Sequence, residues 1–279
     1  MSTDPVRMTR LLYNVSMSLD GFIAGINQSR QNPMGVGGER LGEWRRGLAV
    51  FRKMFPFAGL EGGVTNASTA VLEEDTSGAM IIGRNMFGGG PGPWGDPPWD
   101  GPWGGNPFQV PVFVLTHHPR EPLLLHGDPP FTFVTEGIRA ALEMAEKAAP
   151  GKDVMVGGGA SAAKQYLAAG LLDEIDLHLV PVFLGDGLRV FDDVALAGVT
   201  LEQVRVVEAP GVTHLRFRVV RYYGLLPDAG ASDRPPLAWH SLSLGPVSCP
   251  GGPVAASSGG PSLCSLGSVF PLPGDRAPC

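Results

Sequence analysis

The segment Asp153-Val-Met-Val-Gly-Gly-Gly-Ala-Ser161 narrows the choice of fold more than any other. Its apolar run has the pattern of a strand buried on both faces. Three glycines follow, then a helical stretch from Ala160 to Ala169, closed by Gly170 at its C′ position. A buried strand that turns directly into a helix belongs to an α/β chain built on a parallel sheet. The pattern recurs. Val110 to Leu115 is a continuous apolar run, and Ala79 to Ile82 is a shorter one that opens onto Gly83-Arg84-Asn85. Phe131 to Val134 precedes a helix over Glu136 to Ala149 whose Ile138, Ala141, Leu142 and Ala145 share one face. Leu11 to Ser18 reads as the first strand and Glu174 to Pro181 as a later one, while Val204 to Ala209 and His214 to Tyr222 read as a closing antiparallel pair. Trp44, Leu48, Phe51 and Phe55 predict one helix over residues 41–55, and Asn66 or Ser68 caps a short helix ending at Asp75. The expected class is α/β, with a mostly parallel central sheet and an antiparallel C-terminal edge.

Of the 279 residues, 43% are hydrophobic, enough for a buried core, and the net charge is −6. That acidic balance argues against a nucleic-acid partner. No apolar run approaches the roughly 18–20 residues of a membrane span, so no membrane partner is expected. Met1 to Arg10 has no apolar stretch behind its charges, so no secretory leader is read and the expected compartment is the cytoplasm. One domain is expected over residues 10–223. Residues 224–279 are half Gly, Pro and Ser, show neither period, and are expected to be disordered. All three cysteines, Cys249, Cys264 and Cys279, lie there without paired spacing, so neither a disulfide framework nor a zinc site is read from them.

Three strand ends carry groups suited to anions. Gly157, Gly158 and Gly159 let a phosphate approach the backbone, and Ala160 and Ser161 begin a helix whose free N–H groups and dipole favour negative charge. The same turn also serves as a plain strand-to-helix connection. It is neither a Walker loop nor a Rossmann fingerprint. Gly83-Arg84 puts a forked donor at a helix start, either for a phosphate or as surface charge. Thr116-His117-His118 follows the third strand. Adjacent histidines do not share a face, so no metal is expected, and contact with a phosphate or ribose is the better reading. Open α/β sheets bind ligands beyond the carboxyl ends of their strands, where all three segments lie. Gly88 to Gly105 contains only Gly, Pro, Trp and Asp. With Trp94, Trp99 and Trp103 it reads as a lid over a flat substrate, as a packing or subunit contact, or as disorder. Glu39 and Glu43 read as surface charges.

Five segments, in this order, carry a resemblance: Met17-Ser-Leu-Asp-Gly-Phe-Ile-Ala24, Met80-Ile-Ile-Gly-Arg84, Val112-Phe-Val-Leu-Thr116, Val156-Gly-Gly-Gly-Ala-Ser161, and Leu171-Leu-Asp-Glu-Ile175 with Leu179-Val-Pro-Val-Phe-Leu-Gly185. Together they resemble the dihydrofolate reductase superfamily, and more closely its RibD C-terminal-domain family, across residues 10–222. The resemblance implies a three-layer dihydrofolate reductase-like fold, NADPH as hydride donor, and a homodimer to which Leu171 to Gly185 contributes. It implies that Gly83 and Arg84 meet the cofactor phosphates and that Thr116 and His117 lie near the adenosine ribose and its phosphate. Gly157, Gly158, Gly159, Ala160 and Ser161 would cradle the pyrophosphate, and Ile23 and Ala24 would border the nicotinamide through their backbone. Asp20 would lie on the substrate side as the candidate proton donor, although Asp-Gly is also a common turn pair. The zinc motif of the deaminase usually fused to the riboflavin enzyme is not visible in this sequence. The expected activity is reduction of a C=N or C=O carbon in a small heterocyclic or glycosylamine-like substrate, of the 5-amino-6-(5-phosphoribosylamino)uracil reductase type. The alternative is a non-catalytic nucleotide-binding or drug-sequestering protein on the same fold.

Overall fold

Strands that are apolar on both faces need two covers, and this chain makes them in two different ways. The computed structural model describes residues 9–55, 62–88, 90, 92–126, 129–192 and 199–221. The expected disordered tail and its three cysteines lie outside the described residues. The strands are β1 (Leu11–Ser18), β2 (Ala79–Gly83), β3 (Val112–Leu115), β4 (Phe131–Val134), β5 (Val154–Gly158), β6 (Glu174–Val180), β7 (Val199–Ala209) and β8 (Val212–Arg221). They form one sheet in the order β4-β3-β2-β5-β1-β6-β8-β7. All pairings from β4 across to β6 are parallel, and β8 joins β6 and β7 antiparallel. The mostly parallel sheet with an antiparallel C-terminal edge is as expected.

Alternate residues of each strand serve opposite faces. Leu11, Tyr13, Ile81, Phe113, Val154 and Val156 pack on one face against α5 (Ile138–Ala148) and α6 (Ala160–Ala168). Met80, Ile82, Val112, Val114 and Met155 face the other way, where among the described residues no long helix packs on them. Phe87 of α4 (Arg84–Phe87) and Trp94 of the Gly/Pro/Trp segment are buried there instead, with Trp99 and Trp103 packed alongside. Burying aromatic side chains of this size is worth about 1.5–3 kcal/mol each, which holds a glycine-rich segment against the sheet. Of the three readings of Trp94, Trp99 and Trp103, packing is the one the fold shows. Beyond β1, the same face is covered by Leu41, Trp44 and Leu48, which pack on Val180 and Val212.

The helix expected over residues 41–55 is broken. A 3-10 turn (Gly38–Gly42), α1 (Glu43–Arg46) and α2 (Ala49–Lys53) replace it. Leu48 is extended, at φ −75° and ψ 135°. The cause is a strand-like bridge: Val64 N donates to Gly47 O and Ala49 N to Val64 O. That tertiary pairing outbids helical periodicity. α3 (Ala67–Glu73) begins as expected, with Asn66 Oδ1 accepting from Ser68 N and Thr69 closing a capping box. Among the described residues, no helix is long and apolar enough to cross a membrane.

α3 is tied to the sheet by a buried polar chain. His178 of β6 and His214 of β8 are paired in register, with Nδ1 facing Nδ1 at 2.8 Å. His214 Nε2 lies 2.8 Å from Ser68 Oγ, and Trp44 sets its edge against both imidazoles. Two facing Nδ1 atoms form a hydrogen bond only when one bears a proton and the other does not. Burial, reinforced by the neighbouring cations, pushes the His178 pKa down to about 3 and that of His214 to about 4. The unfolded chain therefore binds more protons than the folded one below the ordinary value of 6.5. Their contribution to stability is full above that value and is lost as pH falls toward 4 and 3. Urea midpoints should accordingly decline from pH 7 to pH 5, and the decline should be shallower in a His178→Leu variant, which has one fewer histidine to titrate.

Candidate functional site

Parallel pairing sets three strand ends side by side. Ile82 of β2 is opposite Val114 of β3 on one side and Gly158 of β5 on the other, and Gly83 is opposite Leu115. Neighbouring strands run about 4.8 Å apart, so Gly83-Arg84, Thr116 and Gly158 to Ser161 share one edge. The β2–β5 register slips between Ile81 and Ile82, leaving Gly157 without an opposite residue. A Cβ on Gly157 would lie 3.0 Å from Met80 Sδ, so glycine leaves room there for the Met80 side chain. Gly158 has φ +135°, which favours glycine, and the Gly158–Gly159 peptide is cis. A Cβ on Gly159 would meet nothing within 4 Å. The backbone there borders open space, directly below the start of α6, whose N-terminus has no capping side chain. Ser161 is exposed, and its carbonyl and hydroxyl both accept from Gln165 Nε2.

Arg84 leaves the end of β2 and lies over Trp94, its Cζ 3.2 Å from the ring centroid. Nε donates to Gly88 O at 3.1 Å and Nη2 to Gly92 O at 3.4 Å. Nη1 is buried and has no hydrogen-bond partner among the described residues. Burial, with help from the Arg120 and Arg30 cations, lowers the pKa of this guanidinium. Arg120 lies over the same indole at 5.3 Å and pairs with Asp100 at 2.8 Å. Arg30, from the loop after β1, lies over Trp99 at 5.0 Å. Thr116 is buried, and its Oγ1 accepts from His118 N at 3.1 Å, which fixes the turn after β3 and leaves His117 exposed. A cluster of three guanidiniums with an orphaned inner N–H can take an oxyanion.

The segment after β1 forms a second group, on the β6 side. β1 runs on past β5, pairing Ser18 with Val180. Asp20 accepts from Ser18 Oγ at 2.6 Å, from Leu184 N at 3.1 Å and from Gly185 N at 2.7 Å. The Ser18 hydroxyl above all, then the two backbone N–H groups, hold its pKa down at about 2. In this setting Asp20 anchors a turn and, near neutral pH, carries no proton to give. Ile23 N donates to Leu188 O and Leu188 N to Ala24 O, both at 2.8 Å, so the expected nicotinamide border is also the place where two loops are joined. Gly187 makes that possible, since a Cβ there would lie 2.0 Å from Ala24 O. Glu39 and Glu43 are exposed.

The fold thus unites Gly83, Arg84, Thr116, His117 and Gly157 to Ser161, and gives Asp20 other company. Sequence reasoning missed Trp94 as a partner of Arg84, Arg120 as a second cation, and Ser18 as the partner of Asp20. Only the last had a usable signal, the two-residue spacing of a hydroxyl and a carboxylate around a turn.

Residues 9–215 match the family model described as the RibD C-terminal domain. No curated protein sequence matches the chain. Among solved structures it is similar to a putative riboflavin biosynthesis protein from Shewanella sp. PV-4, at 18% identity over 76% of this chain and 100% of that one, TM-score 0.48. It is similar also to a diaminohydroxyphosphoribosylaminopyrimidine deaminase/5-amino-6-(5-phosphoribosylamino)uracil reductase from Thermotoga maritima, at 14% identity over 76% and 57%, TM-score 0.45. A third is the dihydrofolate reductase of Enterococcus faecalis complexed with NADP(H), at 14% identity over 75% and 96%, TM-score 0.40. The chain spans a little over half of the bifunctional Thermotoga protein.

Two outcomes follow from the loops. Gly187→Ala, at φ +149° and against Ala24 O, should lower stability by at least about 2 kcal/mol, read as a lower urea midpoint at unchanged slope. The contribution of Asp20 should be present above its ordinary pKa of 3.8 and be lost as pH falls toward 2. Acid unfolding of Asp20→Asn, followed by circular dichroism, should therefore show a shallower loss of stability over that interval.

Proposed function

The chain belongs to the RibD C-terminal domain family, and from that footing we propose that it is an NADPH-dependent reductase acting on a C=N or C=O carbon of a small heterocyclic or glycosylamine-like substrate. The reaction would be of the kind named for the Thermotoga relative, reduction of a 5-amino-6-(5-phosphoribosylamino)uracil-like compound. The observation that carries the reading is the shared edge of β2, β3 and β5. There a buried Arg84 Nη1 without a partner among the described residues, an uncapped helix start and open backbone at Gly159 all call for an anion.

These residues fit a dinucleotide. Gly157, Gly158 and Gly159 would admit its diphosphate to the backbone, Ala160 and Ser161 would face it with the positive end of α6, and Arg84 would add a charged N–H. Thr116 and His117 would border the adenosine side, and Ile23 and Ala24 the nicotinamide. A reduced nicotinamide, when bound there, supplies the hydride. The chain itself would hold donor and acceptor in a reactive orientation. The proton that goes to nitrogen or oxygen would come from solvent, because Asp20 is held ionised by Ser18, Leu184 and Gly185. In its place Asp20 would set the wall on the substrate side. A homodimer would use Leu171 to Gly185, where Phe183 is 66% exposed.

Titration of the protein with NADPH and with NADH, followed by tryptophan quenching, tests the reading. NADPH should bind more tightly. Arg84→Ala should weaken it about tenfold to a hundredfold, the worth of one charge-assisted hydrogen bond. Failure of both nucleotides to bind at millimolar concentration would overturn the cofactor assignment. Binding with no loss of reduced nicotinamide against any imine or carbonyl compound would favour the non-catalytic alternative.

A further inference from the structure

Trp94 lies outside every segment that the sequence marks for cofactor binding, yet it touches two of them. Its ring carries the guanidinium of Arg84 on one face, Cζ to centroid 3.2 Å. Its Nε1 donates to His118 O at 2.9 Å, on the turn after β3 that Thr116 fixes. Phe87 and Phe133 hold the ring from the sheet side, with centroids at 5.7 and 4.7 Å, and only 7% of Trp94 is exposed. The indole therefore cannot shift without disturbing the aromatic cluster that covers β2, β3 and β4.

That rigidity decides what Arg84 can do. A guanidinium stacked on an aromatic face keeps its N–H groups in its own plane, free to bond sideways. The carbonyls of Gly88 and Gly92 take Nε and Nη2, the second at a long 3.4 Å. What is left is Nη1, buried and without a partner among the described residues. Arg120 shares the same indole, so the surroundings are cationic, and the Asp100 carboxylate is already engaged with Arg120. Nη1 is thus a buried donor without an acceptor among the described residues, and a ligand oxyanion would supply one.

We propose that Trp94 is the positioning residue of the phosphate seat: it fixes the plane of Arg84 so that Nη1 meets an oxygen of a ligand diphosphate, and it couples that seat to the Thr116–His118 turn. The proposal rests on the reading of Arg84 as a phosphate donor. A tryptophan that only filled space would affect every ligand and every Arg84 background alike. A positioning tryptophan acts mainly through Arg84, so most of its effect disappears once Arg84 is removed.

A double-mutant cycle separates the two, with affinities read by calorimetry for NADPH and for inorganic pyrophosphate. Trp94→Leu should weaken both ligands about tenfold, the scale of a desolvated cation–π contact. Trp94→Phe, which keeps an aromatic face, should stay within about threefold of the parent. In an Arg84→Ala background, Trp94→Leu should cost less than about twofold, since coupled residues are not additive. Equal losses in both backgrounds, or parental affinity in Trp94→Leu, would overturn the proposal. Should the leucine variant not fold, Arg84→Lys carries the test. Lysine keeps the charge but not the stacked fork, so it should lose affinity nearly as alanine does, and parental affinity would overturn the proposal. Pyrophosphate binding with the coupled pattern but no NADPH binding would uphold Trp94 and sink the dinucleotide reading. No binding of either ligand would sink both.

Discussion

The whole arrangement depends on one constraint: β2, β5 and β1 are buried on both faces, and every exposed route to them must be closed. α5 and α6 close one face in the usual helical manner. The other is closed over β2, β3 and β4 by a glycine- and proline-rich segment whose tryptophans do the work of a helix. Such a segment has no internal hydrogen-bond ladder to keep its shape. Trp94 Nε1 to His118 O, Trp99 Nε1 to Phe87 O and Arg120 to the Trp99 carbonyl supply the missing ties. Because these ties end at the carboxyl edge of the sheet, the cover and the candidate site are one structure. Stability and ligand geometry are linked there through the same side chains.

The edge itself is shaped by glycine where a side chain would crowd its neighbours. The slip at Gly157 carries β5 beyond its expected end and sets Gly158 beside Ile82. α6 then starts beside the open space at Gly159, without a capping side chain. On the β6 side, Gly187 allows two loops to touch at Ala24. Asp20 ties the turn after β1 to the chain after β6 through three donors. Its low pKa is a consequence of that architectural role. A carboxylate saturated with N–H and O–H donors is a good anchor and a poor acid.

Much of this was legible. The βα alternation, the antiparallel close, the Asn66 cap and the three anion-suited strand ends all follow from local rules, namely apolar runs, capping residues and glycine at helix starts. The helix over residues 41–55 was misjudged because Trp44, Leu48, Phe51 and Phe55 do recur with helical period. What broke it was a bridge to Val64, seventeen residues away from Gly47 in the chain and invisible to any local window. Trp94 was equally hidden. Nothing in a Gly/Pro/Trp composition says which indole will meet Arg84.

The sequence by itself determined the class of fold, the elements that end in glycine-rich strand-to-helix turns, and membership of the RibD C-terminal domain family, because these depend on periodicities and motifs a few residues long. Only the tertiary structure decided that the first strand lies between β5 and β6, that Arg84 lies over a tryptophan with Nη1 unpartnered among the described residues, and that Asp20 accepts from Ser18, Leu184 and Gly185. Those outcomes depend on which side chains meet across the sheet edge. Burial and hydrogen-bond supply at that edge set the charge state and direction of each group, and neither quantity exists until the chain has closed around it.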